Sequence, residues 1–208
     1  MVNGPHPNEV AIRLRDLAWP GVLGNTDELL WSLHALPEQL ARMPRFEGLL
    51  RVLYEHTGPA ALKRLSPDNL AWLQTLPRQL THDDITILHA SPDNLWRTPP
   101  PQAEDGTLAE TFGPLGVRTV VYGHIHRPFV RNLSSMTVAN SGSVGLTWDG
   151  DPRASYLLID GSRLEIRRVE YPVERDINDL LSAKFPYAQW LGEMRRSGTY
   201  LAPEPELR

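Results

Sequence analysis

The chain contains no cysteine in its 208 residues. Disulfides, thiolate-bound zinc and cysteine nucleophiles are thereby excluded together. No apolar stretch of about 18 residues occurs, and no basic start with an apolar core opens the chain, so neither a membrane span nor an export signal is expected. A basic tract is missing too. The net charge is −4, which offers no electrostatic footprint for duplex nucleic acid. Two catalytic signatures are also lacking. There is no Gly-x-x-x-x-Gly-Lys phosphate loop, and Ser143 falls outside a Gly-x-Ser-x-Gly frame because Ser141 stands where the first glycine belongs. These absences make a cytoplasmic protein, with neither membrane nor duplex nucleic acid among its partners, the expectation.

What is there reads as one α/β domain over residues 1–208. That length can bury roughly 70% of the unfolded surface, and 41% hydrophobic with 22% charged residues is ordinary for a globular chain. The 19 prolines gather in loops, notably Thr98–Pro101. Helical patterns are expected after His6-Pro7-Asn8, with Val10, Leu14 and Leu17 on one face, then from Phe46 to His56, closed by Gly58. Another starts after Ser66, with Ser66 as N-cap and Pro67 in the first turn. A very short strand at Gly21–Gly24 would deliver Asn25-Thr26-Asp27 into a loop, where Asp27 can cap the next helix. Ile85–Leu88 and Val117–Tyr122 read as buried strands. Antiparallel runs follow at Phe129–Asn132, Thr137–Asn140, Val144–Trp148, Ser155–Ile159 and Leu164–Val169, with hairpin dipeptides at Asp149-Gly150 and Asp160-Gly161. One or two outer helices span Asp176 to Gly198, and the tail from Pro203 is expected to fray. Trp19, Trp31, Trp72 and Trp148 suit core or edge packing.

The most informative residues are Gly123-His124-Ile125-His126, directly after the Val117–Tyr122 run. On an extended backbone, side chains at i and i+2 share a face, so the two imidazoles would make half a metal site. Asn25, Asp27 and His89 also follow short apolar runs, and ligands in open α/β sheets gather at the carboxyl ends of strands. Trp96 and Arg97, in the proline-rich loop after His89, are candidates for a substrate wall. His6, His34, His56 and His82 have no evident ligand partner and read as surface or capping residues.

Four segments occur in order: Gly24-Asn25-Thr26-Asp27, Leu88-His89-Ala90-Ser91-Pro92, Gly123-His124-Ile125-His126-Arg127-Pro128 and Asn140-Ser141-Gly142-Ser143-Val144-Gly145. Together they resemble the calcineurin-like metallophosphoesterase superfamily, most closely its small bacterial single-domain members, from Asn3 to about Ile159. The resemblance implies a β-sandwich flanked by helices (αββα) and two metal ions about 3.5 Å apart that clamp a phosphate and activate water. By the same resemblance Asn25, His89 and His124 are ligands of the second metal and His126 of the first. Asn25, Asp27 and His124 serve catalysis, and Arg127 touches the phosphate. Nitrogen and oxygen donors without sulfur admit Mn2+, Fe2+, Zn2+, Co2+ or Ni2+. The implied substrate is a small phosphoester or nucleotide. Asn140, Ser141 and Gly142 would support the site, with Gly142 and Gly145 allowing close backbone approach.

Two departures from the family pattern stand out. Thr26 occupies the position where the family commonly has a histidine that serves the leaving group. Positioned proton transfer contributes typically 10²–10⁴-fold, so slower turnover is expected. The family also begins with a strand ending in Asp-x-His, a helix, and a strand ending in Gly-Asp whose aspartate bridges both metals. This sequence has neither motif, and Met1–Pro5 resembles the loop that follows the second. The expectation is an N-terminally truncated domain that lacks a βαβ unit on the order of 40 residues and starts at an internal methionine of a longer polypeptide. Exposed sheet edges, an exposed apolar helix face, impaired hydrolysis and a homodimer would follow. The alternative is a catalytically inactive binding or regulatory module.

Overall fold

A computed structural model describes residues 2–203, so the tail beyond Pro203 lies outside the described residues. In chain order the helices are α1 (Pro7–Asp16), α2 (Asn25–Leu29), α3 (Leu36–Arg42), α4 (Glu47–Arg51), α5 (Gly58–Leu62), α6 (Pro67–Gln74), α7 (Asp105–Phe112), α8 (Val173–Ser182) and α9 (Ala188–Ser197). The strands are β1 (Gln79–His82), β2 (Ile85–Leu88), β3 (Thr119–Tyr122), β4 (Phe129–Asn132), β5 (Thr137–Asn140), β6 (Ala154–Asp160) and β7 (Arg163–Val169).

The central sheet has the order β1-β2-β3-β5-β4. Its middle strands β2, β3 and β5 run parallel, and β1 and β4 close the two edges antiparallel. β6 and β7 form a separate hairpin with β7 beside β4. Buried parallel strands favour near-continuous hydrophobic runs, and Val120, Val121 and Tyr122 of β3 supply one. Leu108 and Phe112 of α7 seal this sheet against Leu88, Val120, Tyr122 and Val138. A second apolar cluster joins Leu29 and Leu30 to Leu50, Leu53 and Leu73 of the helical layer. A third holds α8 and α9 through Leu180, Leu191 and Met194. The result is a mixed α/β architecture with helices flanking the sheet.

Several elements differ from the sequence expectation. Val22 and Leu23 are not a strand: the link seen there is the Leu23 N–H donating to the Pro77 carbonyl at 2.8 Å. A strand needs a neighbour along its length, and this segment has none among the described residues. Val144–Trp148 is not a strand either. The Ser143 hydroxyl accepts from the Leu146 N–H at 3.1 Å and the Gly145 N–H at 3.4 Å, so a local turn captures the donors that a ladder would use. β1 is an addition; it is polar and mostly exposed, without an apolar run to announce it.

The helix from Glu47 does not end at Gly58. It passes through a π-helical stretch, Val52–Thr57, and continues as α5. Gly58 is there for proximity, since a Cβ would meet Leu29 Cδ2 at 2.4 Å and the Leu53 carbonyl oxygen at 2.5 Å. On α1, Val10 and Leu17 are exposed while Ala11 is buried, and Trp19 is 62% exposed instead of packed. Ser66 caps α6 as expected, accepting from the Asn69 N–H at 3.2 Å.

Candidate metal and phosphate site

The register of the parallel strands aligns their carboxyl ends: Leu88 pairs with Tyr122, and Tyr122 with Asn140. One further bond extends the ladder, as the Gly123 N–H donates to the His89 carbonyl at 3.0 Å. Asn140, fully buried, donates from Nδ2 to the Gly123 carbonyl at 2.6 Å and accepts at Oδ1 from the Gly142 N–H at 2.9 Å. The three strand ends are thus tied into one row. Gly142 has φ +76°, and a Cβ there would reach Ser155 Oγ at 2.7 Å, so the close approach expected of it is present. Gly145 has nothing within 4 Å and needs no such space.

His124 and His126 lie past the end of β3, not on extended backbone. Their φ values are +66° and +55°, in the left-handed region that histidine visits more readily than most side chains. Alternation along a strand therefore does not bring them together; two consecutive reversals around Ile125 do. The tight bond from the Ile125 N–H to the Gly123 carbonyl, 2.7 Å, marks the first.

Asn25 reaches the same place from the start of α2. Asp27 does not stand at the N-cap: it is the third helical residue, and its carboxylate accepts from the Gly24 N–H at 3.0 Å. This bond, the carboxylate half of a capping box, fixes the turn that presents Asn25.

Three polar atoms converge. His89 Nε2 lies 2.8 Å from Asn25 Oδ1 and 3.2 Å from His124 Nδ1. The His89 and His124 rings meet edge to face, 5.1 Å between centroids. His126 makes its own anchorage. Its Nδ1 donates to the Leu146 carbonyl at 2.6 Å, which leaves Nε2 as the lone-pair nitrogen, and its ring stacks on Trp148 at 4.3 Å. Sequence reasoning assigned Trp148 to packing and missed this contact. No spacing rule links positions 126 and 148, because the turn at Ser143 brings them together.

All three imidazoles are biased to the neutral form that binds cations. Burial pushes His89 down to about 3, and the neighbouring His124 and His126 add to it. Burial likewise lowers His124 to about 4, with His126 helping and the Trp96 backbone opposing. Burial lowers His126 to about 4 against the Leu146 hydrogen bond.

Asn25, Thr26, His89, His124, His126 and Arg127 line one cavity of about 1230 Å³, and Trp96 and Arg97 flank it. Asp27 is not among the lining residues. Arg127 donates from Nε to the Trp148 carbonyl at 2.8 Å, and no carboxylate pairs with it among the described residues.

The calcineurin-like phosphoesterase superfamily domain matches residues 7–163, about three quarters of the chain. The chain belongs to that superfamily. Among the relatives of this phosphoesterase-superfamily chain is an uncharacterised protein of Methanocaldococcus jannaschii, MJ0912. It is 28% identical over 91% of this chain and 80% of its own length. A crystal structure of a metallophosphoesterase from Sphaerobacter thermophilus superposes with a TM-score of 0.74. It is 23% identical and covers 95% of this chain and 84% of its own. The hypothetical protein PH1004 of Pyrococcus horikoshii gives 0.78 at 18% identity, over 97% and 83%. A mixed α/β fold with a central sheet flanked by helices is what these structures share with the chain, and metal-dependent phosphoester hydrolysis is the chemistry associated with the superfamily.

The residues present fit one divalent cation. Donors held at about 2.1 Å from a first-row ion lie roughly 3 Å from each other when they sit side by side, and the two separations here are 2.8 and 3.2 Å. No three histidine, cysteine, aspartate or glutamate side chains form such a group among the described residues. The trio here is two imidazoles and an amide oxygen, a set that suits a borderline cation.

Proposed function

We propose that this chain acts as a metal-dependent phosphoesterase on phosphomonoesters or phosphodiesters, with small phosphoesters or nucleotides as substrates. The observation that supports the reading is the meeting of Asn25 Oδ1, His89 Nε2 and His124 Nδ1 at the wall of a large cavity. Asn25, His89 and His124 would hold one divalent ion, Mn2+, Fe2+, Zn2+, Co2+ or Ni2+, and His126 would serve a second. When bound, such metals polarise a phosphoryl oxygen and lower the pKa of water.

The chain's own groups do the remaining work. The Asn25 NH2 can donate to a phosphate oxygen while its carbonyl faces the cation. Arg127 keeps its terminal nitrogens for bidentate contact with phosphate. The bond from His126 Nδ1 to Leu146 fixes the tautomer and ring plane, the usual role of such a partner. Asp27 is a positioning residue that acts on Asn25 through the α2 turn.

One observation favours the second reading, an inactive binding module. Asp176 is the one carboxylate among the cavity-lining residues, and it is ion-paired with Arg195 at 2.5 Å. No lining carboxylate is left to bridge two cations. Calorimetric titration with Mn2+, followed by hydrolysis of bis-p-nitrophenyl phosphate, separates the readings. The proposal expects near-stoichiometric Mn2+, metal-dependent turnover, and at least tenfold weaker Mn2+ binding in Asn25→Ala and His89→Ala. Binding without turnover would support the module, and absence of Mn2+ binding by the unaltered chain would overturn the metal site.

A further inference from the structure

Beyond the metal-facing residues, the cavity has a charge balance opposite to that of the chain. Five arginines line it, Arg42, Arg45, Arg97, Arg127 and Arg195, against the single carboxylate of Asp176. The chain as a whole carries −4. Arg195 is spent on Asp176 and Arg42 on Glu38. Arg45, Arg97 and Arg127 have no carboxylate partner among the described residues.

Arg127 follows directly on His126. Arg45 and Arg97 come from other parts of the chain, the turn after α3 and the proline-rich loop, and these two segments are bonded to each other. Arg97 donates from one terminal nitrogen to the Arg42 carbonyl at 2.9 Å, three residues before Arg45. The loop that carries Arg97 is itself pinned. Ser91 Oγ donates to the Arg97 carbonyl at 2.8 Å, Thr98 Oγ1 to the Ala90 carbonyl at 3.2 Å, and the Tyr122 hydroxyl to the Pro99 carbonyl at 3.1 Å. Arg45 rests over the Phe46 ring at 4.8 Å, which steadies the guanidinium while leaving its donors open. Both arginines are exposed at the cavity margin. Two unneutralised guanidinium groups lining one cavity on hydrogen-bonded segments are suited to a polyvalent anion, because each fork can engage phosphate oxygens in parallel.

We infer that Arg45 and Arg97 form a second anion subsite, so that the preferred ligand of this cavity carries a further phosphate besides the ester phosphate handled near His124. The substrate class is then an oligophosphate or bisphosphate ester. The inference rests on the phosphoesterase reading for the ester phosphate, but the subsite itself is built without any metal. The probes are inorganic phosphate, pyrophosphate and tripolyphosphate, titrated calorimetrically into the full chain without added metal at 50 and 200 mM salt. The expected result is at least tenfold tighter binding of pyrophosphate or tripolyphosphate than of phosphate, weakening as salt rises. Arg45→Ala/Arg97→Ala should bring the preference close to unity, and Arg45→Lys/Arg97→Lys should restore part of it. Circular dichroism confirms that the variants fold, and both side chains are exposed. Equal affinity for the three anions, or a preference that survives in the double alanine variant, would overturn the subsite. Failure of the metal reading shows separately, as absence of Mn2+ binding, and leaves the anion series intact.

Discussion

Asn140 shows how much of the site depends on a residue that touches no candidate ligand. Its amide satisfies the Gly123 carbonyl and the Gly142 N–H from a fully buried position. Asn140→Ala would leave the Gly142 N–H without its acceptor and the Gly123 carbonyl with the Ile125 N–H alone, and burying an unsatisfied group costs about 1–3 kcal/mol. A lower urea midpoint with an unchanged slope is expected, and an unchanged midpoint would refute this role. At this scale the sequence was informative about identity and poor on conformation. The histidines and Asn25 stand out by their position after apolar runs, whereas the left-handed backbone at His124 and His126 leaves no mark in composition. Arg45 was passed over because a lone arginine after proline in a helical turn carries no motif.

Two elements carry their own predictions. Gly58→Ala would drive a methyl group against a backbone oxygen that cannot move aside, so a loss of about 1–3 kcal/mol is expected. Thermal melting of the variant would test it, and a more stable protein would show that Gly58 serves only flexibility.

Asp151, between β5 and β6, is held down to about 2 by hydrogen bonding from the Arg153 side chain, with help from the Arg153 backbone and the charge of Arg168. Its folded value lies below the unfolded one near 3.8, so the stabilisation is present above pH 4 and is lost as pH falls towards 2. The site is near solvent, so Asp151→Asn should cost only about 0.5 kcal/mol at pH 7. The gap to the unaltered protein should close at pH 2 in paired acid titrations, and a gap that persists there would refute the linkage. Among the elements, β2, β3, β4 and β5 were readable from their short apolar runs and the turn signals between them. β1 was not, being polar, and the π-helical segment has no known pattern of its own. The run Val144–Trp148 looked like a strand because propensity cannot see a serine hydroxyl competing for its N–H groups.

For the molecule as a whole, the proposed cation site would couple binding to folding. A ligand at 100 times its Kd adds about 2.7 kcal/mol to the folded state. Added Mn2+ should therefore raise the melting temperature of the unaltered chain, and His124→Ala should erase the increment. An equal increment in that variant would move the ion elsewhere. Whereas the αββα arrangement came only from the family resemblance, the mixed α/β class was legible in the order of elements. The cavity was not, since its walls come from α1, α3, α9 and the proline-rich loop, segments distant in sequence that no local pattern relates.

The left-handed turns at His124 and His126 have one more consequence. A side chain in that region costs on the order of 1–2 kcal/mol, and glycine escapes most of it. Each imidazole therefore sits on backbone that opposes it, and at 126 the Leu146 hydrogen bond and the Trp148 ring offset part of that cost. A glycine at either position would relax the turn and give up the ring nitrogen that faces the cavity.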